Sequence, residues 1–513
     1  MPNPRLRVAT LTATALLLSS VLAGCGDDSQ DEDLTAQKLS WKDCPAPSVA
    51  EGGGDAPSPL PNGDEWQCAT LKAPLDWNKP KGDTIKLALI RAEASGEESE
   101  RIGSLIFNFG GPGGSGITTL PAFGEDYATL RTRYDLVSFD PRGVGRSAPV
   151  ECVNDPQLDA YFQQDATPDD AAERAKLLEI TQEFNAACRA NSEKILPHVR
   201  TTDAARDMDL TRQVLGDEKL HYFGISYGTE LGGVYAHLFP KNVGRAVFDA
   251  VVDPTQTPEQ GTLDQAEGFQ LALDNFAEDC ASKTEDCPIG DSAQDVKDRI
   301  AKLLKDLDSK PIEGIFPREL TQSTATNGIV QALYSPDFWE YLTQGLDQAY
   351  DGNGQILMAL SDSLNGRNEN GEYSNLTAAN VSINCADEKP RYTADQVERK
   401  LPEFRAASPL FGDFLAWGMV GCTDWAVAGA ADHADVSAPG SAPILVVGNT
   451  GDPATPYEGA RKMANALGKG VGVELTYKGQ GHGAYDSKNK CVRDAVNGYL
   501  LDGRVPAAGT VCS

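Results

Sequence analysis

A Gly-Ile-Ser-Tyr-Gly pentapeptide at residues 224–228 constrains the fold of this 513-residue chain more than any other feature. It follows a strand-like run, Leu-His-Tyr-Phe at 220–223, and precedes the helix-compatible sequence Thr-Glu-Leu at 229–231. Small residues two positions before and after an exposed serine suit a sharp turn from a strand into a helix. The pattern alone is weak in a chain with 50 glycines, and a glycine-rich packing turn is the alternative. Its interpretation therefore depends on other segments.

Two later segments contain the residue types that a nucleophilic serine needs. The apolar run at 442–447 has the length of a buried strand and leads into a Gly/Asn/Asp/Pro loop with Asp452. A short strand-like run at 473–477 leads into a glycine-flanked loop with His482. The other four histidines lack this setting of a strand followed by a glycine loop. The chain order serine, aspartate, histidine is that of the α/β-hydrolase triad.

These residue types predict nucleophilic catalysis by Ser226, with His482 as the base and Asp452 as its partner. A serine hydroxyl is a poor nucleophile near neutral pH and needs an adjacent base to take its proton. His482 would take that proton and return it to the leaving group. Asp452 would hold the imidazole in the required tautomer and stabilise the imidazolium.

A glycine-rich loop, Gly-Gly-Pro-Gly-Gly-Ser-Gly at 110–116, follows another buried-strand sequence. Its backbone N–H groups can approach a substrate closely, and a tetrahedral intermediate needs two such donors aimed at its oxyanion. We expect these donors to be Tyr227, directly after the nucleophile, and Gly111, with Gly110 as the alternative. Pro112 has no N–H and is excluded. A Walker-type phosphate-binding interpretation fails, because no Walker lysine follows the loop.

The chain resembles the proline iminopeptidase/tripeptidyl aminopeptidase group of α/β-hydrolases in five segments, from about Trp41 to the C-terminus. The segments are Gly-Gly-Pro-Gly at 110–113, Asp-Pro-Arg-Gly-Val-Gly-Arg-Ser at 140–147, Gly-Ile-Ser-Tyr-Gly-Thr at 224–229, Gly-Asn-Thr-Gly-Asp-Pro-Ala-Thr-Pro at 448–456 and Gly-Gln-Gly-His-Gly at 479–483. The last two are similar to those of the secreted tripeptidyl aminopeptidase branch. The resemblance implies serine exopeptidases that remove short peptides or single residues from free N-termini.

The order of strand-like and helical segments predicts an α/β-hydrolase fold, with a doubly wound, mostly parallel sheet and an inserted helical cap. We expect the core in two parts, at residues 41–255 and 426–513. The strand after the elbow helix is predicted at 246–252. Residues 256–425 lack clear strands and form the predicted cap, in which an apolar stripe is expected to face the core of the cap: Val296, Ile300, Leu303, Leu304 and Leu307. Arg142, in the turn at 140–147, is expected to be a structural anchor.

The N-terminal segment predicts an exported, lipid-anchored protein. Two arginines precede a mostly apolar run at 8–23, which is short for a membrane span. The run ends in Leu-Ala-Gly-Cys, which looks like the lipobox of bacterial lipoproteins, and this implies a signal peptide at 1–24 and acylation of Cys25. Residues 25–40 are predicted to be an acidic tether. The protein would then sit on the outer face of the bacterial cell membrane, although an ordinary secretory signal is the alternative.

Cysteine content agrees with export, because ten cysteines remain after Cys25, an even number. Chain proximity suggests the pairs Cys44–Cys68, Cys152–Cys188, Cys280–Cys287, Cys385–Cys422 and Cys491–Cys512. No Cys-x-x-Cys spacing occurs, and we expect neither a metal nor an organic cofactor. The net charge of −30 argues against nucleic acid as a partner and against electrostatic attraction to anionic lipids.

Recognition of a peptide N-terminus requires carboxylates that bind its ammonium group. Asp387 and Glu388 follow a cap cysteine, Cys385, and the resemblance favours an acidic residue after such a cysteine. Glu230, one helical turn beyond Ser226, is a weaker candidate. Adjacent acids in a loop are also common as solvated surface groups, and this is the alternative.

The leading functional prediction is a serine exopeptidase that releases tripeptides, similar short peptides or single residues through an acyl-enzyme. The alternative is a carboxylesterase or lipase that uses the same triad on acyl esters at the cell envelope. Lipase activity is disfavoured by the acidity and by the absence of long apolar runs in the predicted cap. A non-catalytic binding protein on a hydrolase scaffold is a third interpretation. The oligomeric state does not follow from the sequence.

Overall fold

Ten strands form one central sheet in the computed structural model, which describes residues 33–283, 287–507 and 509–513. The strands in chain order are β1 (Lys42–Asp43), β2 (Gln67–Pro74), β3 (Thr84–Ala92), β4 (Gly103–Asn108), β5 (Tyr134–Phe139), β6 (Leu220–Ile225), β7 (Val243–Asp249), β8 (Ile312–Glu313), β9 (Glu319–Leu320), β10 (Ile444–Gly451), β11 (Gly472–Gln480) and β12 (Thr510–Cys512). The sheet order is β1-β2-β3-β5-β4-β6-β7-β10-β11-β12, and β8 and β9 pair separately.

The central sheet is mostly parallel, as predicted. The pairs from β5 through β12 are parallel, whereas β1–β2, β2–β3 and β3–β5 are antiparallel. Every residue of β4 and β5 is buried, because helices cover both faces of a parallel sheet. Neighbouring side chains of one strand serve opposite faces: Tyr222 packs in one core and Phe223 in the other. This doubly wound arrangement is the α/β-hydrolase fold.

The helices alternate with strands in the two outer parts of the chain and dominate its middle. They are α1 (Gly116–Ala122), α2 (Ala128–Arg131), α3 (Asp155–Gln163), α4 (Ala171–Ser192), α5 (Thr201–Leu215), α6 (Tyr227–Leu238), α7 (Pro258–Ser282), α8 (Ala293–Ser309), α9 (Gln322–Leu333), α10 (Trp339–Tyr350), α11 (Gln355–Asn365), α12 (Leu376–Asp387), α13 (Ala394–Ala407), α14 (Gly412–Gly418), α15 (Glu458–Leu467) and α16 (Lys490–Asp502). Helices α7 to α11, α13 and α14 contribute to two further cores. Helix α12 instead packs in one of the two cores of the sheet.

Two sequence expectations about elements change in detail. The strand predicted at 246–252 is β7, which ends at Asp249 and so places this carboxylate at the edge of the sheet. The segment predicted to lack strands contains the short β8–β9 pair. The last strand, β12, follows the C-terminal helix α16 and pairs with β11. The predicted apolar stripe is confirmed, since all five of its residues are buried on α8.

Long-range polar and covalent contacts connect these elements. All five predicted disulfides are present. The guanidinium of Arg142 is fully buried and binds both carboxylate oxygens of Asp207 on α5, at 2.7 and 2.8 Å. It also donates to the carbonyls of Pro74, Leu75 and His198, so it joins three segments as a structural anchor.

The predicted signal peptide at 1–24, the acylation site Cys25 and the first part of the tether at 25–40 lie outside the described residues. Residues Leu34–Ser513 form one compact unit that contains both the sheet and the helical middle of the chain. Within the described ranges, no helix combines the length and the hydropathy that a bilayer crossing requires.

Candidate active site

Ser226 occupies a strained turn between β6 and α6. Its φ of 59° and ψ of −128° are unusual for a residue with a side chain, and such strain is concentrated at functional sites. The two flanking glycines are required by close packing. A side chain at Gly224 would begin 2.4 Å from the carbonyl oxygen of Gly228, and one at Gly228 would begin 2.4 Å from that of Asn108. The pentapeptide therefore forms the predicted elbow.

Asp452 and His482 meet at the carboxyl ends of β10 and β11. His482 Nδ1 lies 2.8 Å from Asp452 Oδ1, and the Asp452 side chain is fully buried. The same oxygen accepts backbone N–H groups of Ala454 and Thr455, which fix the carboxylate. Burial lowers the pKa of His482, but the charge and hydrogen bond of Asp452 outweigh burial, so the net pKa is raised. This arrangement suits a base whose protonated form must be stabilised.

Two further residues hold the loop of His482, and sequence reasoning missed both. Asp249, at the end of β7, accepts the N–H groups of Ala484 and Tyr485 at 2.9 to 3.0 Å. Its backbone carbonyl also accepts the N–H of Ser226, at 3.1 Å, so the elbow and the histidine loop share one support. The backbone carbonyl of Tyr334, just after α9, accepts the N–H of His482 at 2.7 Å. The Tyr334 ring packs edge-on against the imidazole. The sequence contained one signal for Asp249, a carboxylate near the end of a predicted strand. No sequence feature indicated a role for Tyr334.

Among the described residues, no hydrogen bond joins Ser226 Oγ to His482. Such bonds are often long in an enzyme without substrate. Tyr334 and Thr455, which both contact His482, line the same cavity as Ser226. The cavity of Ser226 is therefore lined by two residues that contact His482.

The glycine loop lies directly beside the elbow. Gly110 approaches Ser226 so closely that a side chain there would begin 2.8 Å from Ser226 Cβ, but its own N–H donates to Asn108 Oδ1. Gly111 is exposed and lines the cavity, with a φ of 111° that favours glycine. Tyr227 is the first residue of α6, where a backbone N–H has no partner within the helix. The backbone N–H groups of Gly111 and Tyr227 are thus better candidates than that of Gly110 to donate to an oxyanion.

The cavity beside Ser226 measures about 620 Å³ and contains all three predicted amine-binding carboxylates, Glu230, Asp387 and Glu388. None of the described residues that line it is lysine or arginine. Burial and the charges of Asp387 and Glu388 raise the pKa of Glu230 to about 8. Burial and the charge of Asp387 raise the pKa of Glu388 to about 7, although Arg391 opposes the shift. The cavity therefore concentrates carboxyl groups near the nucleophile, and their raised pKa values reflect burial beside one another.

Asp387 differs from the two glutamates, because the protein itself binds its carboxylate. It accepts the backbone N–H of Thr201 at 3.0 Å and the hydroxyl of Thr201 at 2.7 Å. Burial raises its pKa to about 7, whereas these hydrogen bonds oppose the shift. Thr201 in turn contacts the hydroxyl of Tyr227 at 2.5 Å. Asp387 is thus part of the framework of the cavity as well as its lining.

The fold, the strained serine and the histidine–aspartate pair together define a serine hydrolase of the α/β-hydrolase class. Residues 408–512 match a family model described as TAP-like protein. The chain is 37% identical to serine protease Hip1 of Mycobacterium tuberculosis, over 98% of this chain and 96% of that protein. It is 32% identical to tripeptidyl aminopeptidase of Streptomyces lividans, over 93% of this chain and 86% of that protein.

A third relative has a different name. Carboxylesterase B of Mycobacterium tuberculosis is 36% identical, over 87% of this chain and 86% of that protein. The chain belongs to the tripeptidyl aminopeptidase-like family of α/β-hydrolases, whose members include proteins named as peptidases and one named as an esterase.

Proposed function

We propose that the protein is a serine exopeptidase that releases short peptides or single residues from free N-termini. The observation that carries this proposal is the set of carboxylates, Glu230, Asp387 and Glu388, in the cavity of Ser226. A substrate with an ammonium group would supply the cation that this cavity lacks. An acyl ester would leave Glu230 and Glu388 without a cation, and burying unpaired charges is costly.

The distances in the cavity suit a short acyl group. Glu230 lies four residues after Ser226 on α6, which is about 6 Å along the helix axis. An extended peptide advances about 3.3 Å per residue, so the ammonium group of a two- or three-residue acyl group lies about 7 to 10 Å from the scissile carbonyl. The carboxylates would bind that group and leave no room for further chain.

In the proposed reaction, Ser226 Oγ forms a bond to the scissile carbonyl carbon while His482 Nε2 takes the hydroxyl proton. The N–H groups of Tyr227 and Gly111 stabilise the resulting oxyanion. The C–N bond then breaks, and His482 passes its proton to the leaving amine. Water attacks the acyl-enzyme with His482 again as the base, which releases the N-terminal fragment and restores Ser226. Asp452 keeps the imidazole oriented throughout.

Hydrolysis of matched peptide anilides with one to four residues, each with a free or an acetylated N-terminus, tests this function. We expect turnover of free amino termini only, with a length optimum set by the position of the carboxylates. A p-nitrophenyl butyrate assay and the Ser226→Ala variant are the controls. Equal rates for free and acetylated peptides, with faster ester cleavage, would instead identify a carboxylesterase.

We further propose that residues 256–425 are a cap inserted into one hydrolase core, and that the mature protein is exported and anchored through acylated Cys25. Five disulfides support export, because such bonds persist in oxidising compartments. Cys25→Ser should move the protein from the membrane fraction to the soluble fraction. Mass spectrometry of the mature N-terminus would contradict the anchor if it showed an unmodified Cys25 or cleavage elsewhere.

A further inference from the structure

Helix α12 packs directly against the glycine loop beside the nucleophile. A side chain at Gly113 would begin 2.8 Å from the carbonyl oxygen of Leu376 and 3.0 Å from the backbone nitrogen of Asn380. The two backbones therefore touch, and only glycine fits between them. The helix that ends with Asp387 thus also contacts the loop that contains Gly111.

Asn380 makes a specific hydrogen bond at this contact. Its Nδ2 donates to the carbonyl oxygen of Pro112 at 2.9 Å. Asn384, one turn further along α12, donates from its own Nδ2 to Asn380 Oδ1 at 3.1 Å. This second bond orients the Asn380 amide, because its oxygen is engaged and its nitrogen must then face the loop. Asn384 itself lines the cavity.

The glycine loop needs such support from outside. Gly110, Gly111 and Gly113 all have positive φ values, and glycine loses the most conformational freedom when a chain is ordered. An oxyanion donor is effective only when it is already aimed at the position of the developing charge. A hydrogen bond to the carbonyl oxygen of Pro112 holds the loop one residue after Gly111, whose N–H is the expected oxyanion donor.

The same helix reaches the second oxyanion donor by another route. The Thr201 hydroxyl donates to Asp387 Oδ2 at the end of α12, and its oxygen lies 2.5 Å from the Tyr227 hydroxyl. The side chain of Tyr227 is buried, so this network contributes to fixing the residue whose N–H follows the nucleophile. One cap helix therefore contacts both sides of the oxyanion site.

We propose that Asn380 is a positioning residue of the oxyanion hole, which holds the Gly111 N–H in place through Pro112 O and is itself oriented by Asn384. The proposal rests on the serine-hydrolase mechanism at Ser226 proposed above. It assigns to the cap a role in the chemical step, separate from substrate selection. Loss of the hydrogen bond would leave the loop free to adopt several conformations and would weaken transition-state stabilisation more than substrate binding.

Kinetics of Asn380→Asp test this role, because aspartate has the same shape but its carboxylate cannot donate to Pro112 O. We expect kcat to fall roughly ten- to a hundredfold with p-nitrophenyl acetate and with a peptide anilide, with KM changed less than threefold. Affinity for a tripeptide boronic acid, which forms a tetrahedral adduct on the serine, should fall by the same factor as kcat/KM. Affinity for the free tripeptide product should stay unchanged.

Asn384→Ala is the second variant, and it should lower kcat with p-nitrophenyl acetate in the same direction by a smaller factor. This ester is too short to reach the amine-binding carboxylates, so its hydrolysis reports on the oxyanion hole and the candidate triad without amine recognition. Thr377→Ala, on the same helix, is the matched control and should retain wild-type kcat.

Wild-type kcat and boronate affinity in folded Asn380→Asp would overturn the proposal. If that variant does not fold, equal kcat for Asn384→Ala and Thr377→Ala would overturn it instead. Failure of the proposed function has a different signature, since activity retained by Ser226→Ala would reject the mechanism itself. Ester hydrolysis without peptide hydrolysis would reject only the exopeptidase.

Discussion

The two ends of the cavity satisfy their charged groups in opposite ways. At the end with His482, Asp452 and Asp249 accept several backbone N–H groups in addition to their roles around the imidazole. At the other end, Glu230 and Glu388 have raised pKa values, and neither has an ion pair with a lysine or arginine of the described chain within 4 Å. Protein groups thus complete the first end before substrate binds, whereas the second end needs a cation from outside.

This difference separates chemistry from selection. Groups that stabilise a transition state must be oriented in advance, because the free energy needed to reorient them during the reaction would cancel the stabilisation. Groups that select a substrate are most effective when only the correct partner satisfies them, because an analogue without the partner leaves buried charge unpaired. We expect mutations at the two ends to change different kinetic constants.

Ser226→Ala should have the largest effect, a loss of roughly 10⁴- to 10⁶-fold in kcat with peptide anilides and esters alike. The nucleophile is lost while the oxyanion donors and the carboxylates remain, so binding of a free tripeptide should be retained. Steady-state kinetics and calorimetric titration measure the two effects. Retained turnover would mean that another residue is the nucleophile.

Glu230→Gln combined with Glu388→Gln should lower kcat/KM for free-amine peptides by roughly 10²- to 10³-fold, because two charges that face the ammonium group are lost. Hydrolysis of p-nitrophenyl acetate, which has no amine, should change less than twofold. A similar fall for both substrates would show that these residues support the fold and do not recognise the amine. The surface variant Glu403→Gln provides a control for removal of a carboxylate from the cap.

Asp249→Asn should lower kcat by roughly 10- to 100-fold with little change in KM, because the amide places an NH₂ group near the N–H groups of Ala484 and Tyr485. Asp249 also raises the pKa of His482 through its charge, so the acidic limb of the kcat/KM profile should move to lower pH. A pH–rate profile measured on p-nitrophenyl acetate checks both effects. An unchanged profile with lowered thermal stability would show that Asp249 has only a structural role.

The pH dependence of substrate selection should follow the carboxylates. In the free enzyme the pKa values of Glu230 and Glu388 are about 8 and about 7, and a bound ammonium group would lower them. Affinity for free-amine peptides should therefore be greatest near pH 8 and fall by up to roughly tenfold per pH unit below about 8, where Glu230 takes up a proton. Below about pH 7 the fall should be steeper, because Glu388 also takes up a proton. The ratio of kcat/KM for a peptide to that for p-nitrophenyl acetate cancels the titration of His482. A ratio independent of pH would contradict the assignment.

The smallest effect should be on stability. The folded-state pKa of Glu230 is raised above its ordinary value, so its ionisation opposes folding increasingly as the pH rises from about 4.5 to about 8. Glu230→Gln should raise Tm by about 2 to 4 °C at pH 8 and leave it unchanged at pH 4. Calorimetry at the two pH values measures the difference, and an equal shift at both would show that charge is not the cause.

The sequence was sufficient to predict the features that depend on residues close together in the chain. The elbow follows from the two glycines around Ser226, and the five disulfides join cysteines that are near in the chain. The residues missed were those whose role depends on distant contacts. Asp249 was placed within a strand predicted at 246–252, and only the true end of β7 puts its carboxylate under the histidine loop. The proposed roles of Ser226, Asp452 and His482 remain predictions that the kinetic experiments test.

The sequence by itself determined the class of fold, the chain order of the candidate triad and the pairing of ten cysteines, because each depends on residue types and short spacings. Only the tertiary structure decided which groups surround those residues. Tyr334 reaches His482 from 148 positions away in the chain, and Asn380 reaches Pro112 from 268 positions away. Such contacts arise where the helical middle of the chain packs on the sheet, and no local pattern predicts them because the two partners are far apart in the sequence.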